Sequence, residues 1–498
     1  MVRKNILIGV IGSIIAFLVS ILNIFFITHL VIKNLTTNDA SAWFLFYSIA
    51  MLLYVFDFGL SPTLGREISF CHKNSVVDAK RIKSLLEAAI GVNLLLAIIC
   101  FFLFLIVGLL YLSKVFPPVD YSVIKFSFMY FLGGGFFLFL NIPLFATNYG
   151  LGQVFLERML RSFLLMITVI TVYVFFKFSH DFESLCKIWL LINLVFHIFL
   201  RFLTLKKAGI HFFEISGHFA EAKIIISTGY RQGLVGFGAW AIFQAGYFII
   251  AHQLGPSYVT QYAPLMQIAG GLITVSAVLQ YSLVPFVSRL FTQQEFNKIA
   301  DVALRFNKFI LLIVITGSAY VFVNAPLFLK YWLGPSFHYS HVTLGVLLIM
   351  SILEINHVSI ATVAMACGYL KFVKISWLGA ALSFILAFAF AKPLGILGVA
   401  LGLFLAQLTT NNWCAVYLSL KFLKIPFRRY GRTFFTSLLY AGMMCVIIVT
   451  SQQLYLTGIR LFVYTTLLMG FLFFLSNLFL FKQEIIRLWK KNKASNFI

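Results

Sequence analysis

NILIGVIGSIIAFLVSILNIFFITHLVI, residues 5–32, runs for 28 positions without one charged side chain. About 20 mainly apolar residues are enough to cross the hydrocarbon core of a bilayer as a helix, so this stretch reads as a membrane span. It is too long for a signal peptide and has no Ala-x-Ala type cleavage site, so it is expected to remain as a helix. The same composition continues on its C-terminal side. The chain has 498 residues, of which 61% are hydrophobic and only 11% charged, with 58 Phe and a mean hydropathy of +0.98. Soluble domains carry roughly a quarter charged residues, and this chain has far too few to coat a water-facing surface. Disorder and nucleic-acid binding by a soluble basic domain are excluded. The fold class expected is an all-α polytopic membrane protein.

Fourteen transmembrane helices are expected, at roughly 6–32, 41–62, 84–112, 121–147, 160–177, 184–204, 232–253, 258–288, 306–329, 339–368, 372–391, 395–420, 433–452 and 458–481. Basic residues favour the cytoplasmic side. With the N-terminus inside, thirty of the 38 Lys and Arg fall in inner segments. The alternation also supports the span count, because one missed helix would invert every later loop. Both termini are then cytoplasmic, and the net charge of +23 is mainly topology rather than a ligand surface. No loop is long enough for a folded domain. The longest inner connection, 205–231, mixes apolar and polar residues and is expected to lie as an amphipathic helix on the inner membrane surface. The cysteines, Cys71, Cys100, Cys186, Cys367, Cys414 and Cys445, form no CxxC or Cys/His cluster. They suggest small hydrophobes rather than a metal site or a disulfide framework. No metal or other cofactor is expected.

An internal repeat organises these spans. Phe25, Ile27 and His29 of the first helix match Phe248, Ile250 and His252 of the seventh, each pair 223 residues apart. Leu60, Pro62 and Arg66 match Leu283, Pro285 and Arg289 at the same offset. An even number of spans per half gives parallel repeats related by an axis along the membrane normal, a plan used for alternating access. The expected division is a lobe at 1–204 holding spans one to six, a connecting segment at 205–231, and a second lobe at 232–420 holding spans seven to twelve. The last two spans and a basic tail occupy 421–498.

FDFGLSPTLGREIS (56–69), at the end of the second span, resembles the corresponding stretch of Wzx-type O-antigen flippases. LGPSYVTQYAPLMQIAGGL (254–272), with Pro285 and Arg289 beyond it, is similar to that family's eighth-helix region. The family is the polysaccharide-transporter branch of the MATE-like (MOP) flippase superfamily, which also holds the MATE drug exporters and the lipid II flippases. The resemblance implies a transporter, not an enzyme. It implies that an undecaprenyl-diphosphate-linked oligosaccharide repeat unit moves from the inner to the outer leaflet of a bacterial inner membrane. The expected partners are that substrate, membrane lipids, a coupling proton or sodium ion, and polysaccharide assembly proteins, with no nucleic acid.

Such a transporter needs cationic or hydrogen-bonding groups for a diphosphate and sugars, and neither a nucleophile nor an acid–base pair. Arg66, Arg231 and Arg289, at the inner ends of spans two, seven and eight, are the candidate phosphate contacts, since a guanidinium forks two charge-assisted bonds to phosphate. Their simpler role is as positive-inside anchors. Apart from Glu87, in the first turn of span three, the acids within apolar spans are Asp57 and Glu354, which are costly unless they face protein or water. Glu354 with His357, at i+3 on the same face, is a candidate site for the coupling ion. Asp57 is another, or else pairs with Arg66 or caps a break at Gly59/Pro62. Trp43, Tyr47, Tyr54 and Asp57 fall on one stripe of helix two, and Trp240, Gln244, Tyr247 and Ala251 on one of helix seven. Helix eight offers Gln267, Gly271, Thr274 and Tyr281. These faces suit a hydrated lumen that contacts sugars, or equally helix packing. Lys125, His29 and His252 read as outer-interface residues, and Gly133–Gly135 as close packing or a bend.

Two alternatives, a MATE-type exporter and a lipid II flippase, rank below this reading on sequence grounds, and a membrane glycan polymerase or ligase ranks lower still. A MATE-type small-molecule exporter is expected to have twelve helices and a cation-binding acid in its first lobe. A lipid II flippase is expected to carry lumen-facing Arg in its first helix, where residues 5–32 here have no charge. A membrane glycan polymerase or ligase needs a larger outer loop than any in this chain.

Overall fold

Backbone N–H and C=O groups in lipid must find partners within the segment, which a helix provides. The computed structural model, which describes residues 2–73, 76–208, 219–369, 371–450, 460 and 463–471, is accordingly almost all helix. In chain order the helices are α1 (Val2–Asn34), α2 (Thr37–Val55), α3 (Leu60–Phe70), α4 (Ala79–Val115), α5 (Pro118–Leu140), α6 (Ile142–Gly150), α7 (Val154–Phe178) and α8 (Phe182–Ala208). They continue with α9 (Phe219–Gln253), α10 (Ser257–Thr292), α11 (Phe296–Leu333), α12 (His341–Ala366), α13 (Val373–Thr409), α14 (Asn411–Phe422) and α15 (Phe427–Thr450). Between α3 and α4, β1 (His72–Lys73) pairs antiparallel with β2 (Val76–Val77). Among the described residues, nine helical stretches are long and apolar enough to cross a membrane, one of them the 50-residue run Val373–Phe422. The protein is a multi-pass membrane protein. Of the fourteenth expected span, residues 460 and 463–471 are helical and the rest lies outside the described residues. The central part of the 205–231 segment, residues 209–218, also lies outside them.

Several expected spans are interrupted, each for a local reason. In span two, Phe58 and Gly59 take positive φ of 47° and 72°, which ends α2 and starts α3. The left-handed region suits Gly and strains Phe. At the repeat offset, Gln280-Tyr281-Ser282 stands where span two has Asp57-Phe58-Gly59, and α10 runs on unbroken there. Span four breaks at Asn141, and Pro143 lies in the first turn of α6, where a missing N–H costs nothing. Spans eleven and twelve join at Gly395, with φ 62° and ψ −145°. Beyond it the backbone of Gly402 lies against Ala387 and Leu386.

The described chain forms two compact units, Met1–Gln267 with Leu370–Ala406, and Ile268–Tyr369 with Gln407–Ile498. In the first, Phe46 of α2 packs with Phe128 and Phe131 of α5 and with Phe182 of α8. Phe131 and Trp189 stack at 5.0 Å. Gly133, Gly134 and Gly135 face Leu190, Trp189 and Leu53, so the triple glycine serves close packing. A second apolar cluster gathers Leu86, Leu144, Phe145, Leu164 and Phe196. Asp181, in the turn before α8, accepts hydrogen bonds from Ser184, which hold its carboxyl below the usual range. In the second unit, Ile310, Val314 and Ile355 form an apolar cluster between α11 and α12.

Candidate functional site

The break in span two is built by its own sequence. The Asp57 carboxylate accepts from the N–H of Gly59 at 2.7 Å and of Ser61 at 3.3 Å, satisfying donors at the start of α3. Asp57 therefore does the capping that its sequence allows. Helix α9 approaches this break backbone to backbone: a Cβ at Gly229 would lie 3.0 Å from Gly59, and one at Gly233 would collide with Phe58. Arg66, on α3, is exposed and pairs with Glu67 at 3.2 Å. Arg231, on α9 between those two glycines, is exposed and donates from Nε to the Tyr230 hydroxyl at 3.1 Å. Arg289, near the end of α10 in the second unit, is also exposed.

The expected lumen residues meet different surroundings. Trp43 is 3% exposed and sits edge-on to Phe131 at 5.1 Å and Trp189 at 5.9 Å, so in this conformation its ring meets other rings. Tyr47 is half-buried, and Trp240 donates from its indole N–H to the Ser48 carbonyl at 3.1 Å, tying α9 to α2. Tyr247 is buried against Tyr262, ring centroids 5.2 Å apart. Gln244 is half-buried. Gln267 accepts from the Thr28 hydroxyl at 2.6 Å, and Thr274 bonds back to the Gly270 carbonyl at 2.9 Å. The side chains of Tyr54 and Tyr281 lie outside the described residues.

In the second unit, Glu354 is 7% exposed on α12. Its Oε2 accepts from Gln407 Nε2 at 2.6 Å and lies 3.6 Å from His357 Nδ1. Asn411 Nδ2 donates to Gln407 Oε1 at 3.0 Å, extending the polar cluster. On another face of α12, Asn307 donates to Ser359 Oγ at 2.6 Å and to Asn356 Oδ1 at 3.1 Å, and Asn356 Nδ2 donates to the Tyr430 hydroxyl at 2.9 Å. A crevice too tight to hold a water molecule adjoins this face, bordered by Gln280, Leu283, Phe306, Ser359 and Thr362.

Sequence reading missed two groups. The Asn307–Asn356–Tyr430 network is one, and its signal is an Asn amid each apolar run. The other is Glu157, 3% exposed on α7, which pairs with Arg161, itself stacked over Phe145 at 4.0 Å. Its i,i+4 spacing is readable in the sequence, but a span expected from residue 160 leaves Glu157 outside it, whereas α7 begins at Val154. Among the described residues, no group of three or more His, Cys, Asp or Glu is placed to hold a metal ion.

The chain superimposes on the lipid II flippase MurJ in an inward closed conformation with a TM-score of 0.72, over 96% of this chain and all of that one, at 12% identity. The fold is that of the MurJ and MATE transporters. An inward-facing multidrug resistance MATE family transporter of the MOP superfamily gives a TM-score of 0.66 over 85% of this chain and 96% of its own, at 14% identity. In sequence, a protein of Salmonella typhimurium (strain LT2) named "Putative O-antigen transporter" is 27% identical over 183 residues, or 34% of this chain. The chain spans 40% of that relative. No family model matches the chain. The resemblance to a Wzx-type flippase of the MOP superfamily is thereby borne out. These relatives are named as transporters and flippases, not as enzymes.

Proposed function

We propose that the chain flips an undecaprenyl-diphosphate-linked O-antigen or related repeat unit from the cytoplasmic to the outer leaflet of a bacterial inner membrane, by alternating access. The observation that carries this reading is the pairing of the MurJ-like fold with sequence similarity to an O-antigen transporter. The absence of charge across residues 5–32 favours it over a lipid II flippase. Spans one to six and seven to twelve act as the two lobes, with both chain termini cytoplasmic. Arg66 on α3, Arg231 within α9 and Arg289 near the end of α10, all exposed, contact the diphosphate, while the half-buried Tyr47, Trp240, Gln244 and Gln267 meet the sugars. Glu354, held by Gln407 and close to His357, binds a coupling proton.

Changing Arg66 and Arg289 together to Ala tests the phosphate role. In cells that depend on this chain, surface polysaccharide should fall at least about tenfold, the loss expected when charge-assisted phosphate contacts are removed, with the protein level unchanged. Wild-type polysaccharide in that double variant would remove the role.

A further inference from the structure

Between Lys421 and Arg432 the chain carries five cations, Lys421, Lys424, Arg428, Arg429 and Arg432, and no acid. Two contacts fix how α15 is turned. The Arg429 guanidinium pairs with Asp301 of α11. Tyr430 is buried, and its hydroxyl donates to Asn356 Oδ1 at 3.1 Å. Arg428 and Arg432 are left exposed on another face. At helical spacing the same face continues through Phe435, Leu439, Met443 and Val446, which are 68%, 64%, 56% and 61% exposed. At about 1.5 Å per residue this stripe extends roughly 27 Å, nearly the thickness of a hydrocarbon core.

We propose that this face of α15 docks an anionic phospholipid of the leaflet that its basic end meets. The stripe reads as two guanidinia followed by apolar side chains, of which Phe435 and Leu439 fall within the roughly 15 Å that one leaflet occupies, the order of a phosphate headgroup and its acyl chain. Guanidinium forks match phosphate oxygens, and basic residues at this depth attract anionic headgroups. A zwitterionic headgroup brings its own ammonium and gains less. In this segment Asp301 engages Arg429, which faces away from the stripe. The ion pair and the Tyr430 bond hold the face in place before any lipid arrives.

The test uses the purified full-length protein with equal amounts of phosphatidylglycerol and phosphatidylcholine, with retained lipid counted by native mass spectrometry. The wild type should keep phosphatidylglycerol preferentially. Arg428→Gln/Arg432→Gln should lower that preference roughly thirtyfold, as expected for two cations near a membrane surface at about 1 kcal/mol each. Arg428→Lys/Arg432→Lys should keep most of it, and Lys114→Gln/Lys177→Gln, which removes equal charge elsewhere, should leave it intact. Equal retention of both lipids by the wild type would overturn the proposal. So would an unchanged preference in the Gln pair, as complete a loss in the Lys pair as in the Gln pair, or an equal loss in the Lys114/Lys177 control.

Discussion

Gln407→Ala removes the donor that holds Glu354, and its cost can be worked from the geometry. Two hydrogen bonds disappear: Gln407 Nε2 to Glu354 Oε2 at 2.6 Å, and Asn411 Nδ2 to Gln407 Oε1 at 3.0 Å. Both join buried side chains. A bond to a charged group contributes about 1.5–3 kcal/mol and a neutral one about 1 kcal/mol in soluble proteins. Side-chain bonds between membrane helices average about 0.6 kcal/mol, so the expected loss lies between about 1 and 4 kcal/mol. Glu354→Gln keeps an acceptor toward Gln407, and its change should stay within about 1 kcal/mol. The double variant should lose less than the sum, because an uncharged side chain no longer needs the donor. Thermal unfolding in detergent, followed by a thiol-reactive dye, reads this cycle. Cys71, Cys100, Cys186 and Cys367 are buried and report unfolding, once Cys414→Ser has removed the exposed thiol and Cys445→Ser the one whose side chain lies outside the described residues. A Gln407→Ala protein that melts with the wild type, or a strictly additive cycle, would refute the reasoning.

Asp57→Ala should destabilise by about 1 kcal/mol, since two N–H groups at the start of α3 lose their acceptor, whereas Asp57→Asn should cost only a few tenths; equal melting of both variants would contradict the cap. If Glu354 carries the coupling proton, Glu354→Gln should fold normally yet lose most of the acceleration that a proton gradient gives in proteoliposomes, and a variant that still responds to the gradient would exclude Glu354 as the proton carrier.

The fold was legible because lipid imposes long apolar runs, and most expected spans fall on one helix. The break in span two was legible from Asp57, Gly59 and Pro62, which combine a cap, a residue tolerant of positive φ and a helix-start proline. The break at Asn141 was not, because the apolar run continues through it and Pro143 alone does not say whether a helix kinks or restarts. The lumen faces were the least legible part. Helical spacing puts Trp43 and Tyr47 on one stripe, but does not say which neighbour that stripe meets: a ring in a membrane helix suits lipid, packing and a wet cavity alike. Trp43 went to Phe131 and Trp189 because Gly134 of α5 leaves room for Trp189 beside them. Glu157 was hidden by a boundary drawn at residue 160, although α7 begins at Val154. Glu354 stood out because a carboxylate amid apolar residues needs a partner, yet Gln407, 53 residues away, carries no mark in the sequence.

The most direct measurement asks where the lipid-linked oligosaccharide goes. Vesicles containing the purified protein and an undecaprenyl-diphosphate-linked repeat unit loaded in one leaflet would be treated with an enzyme or lectin that reaches only the opposite face. The account predicts that sugar becomes accessible at that face at a rate that rises with the amount of protein and exceeds that of protein-free vesicles. Accessibility that is the same with and without the protein, at every protein level and with a pH gradient of either sign, would contradict it.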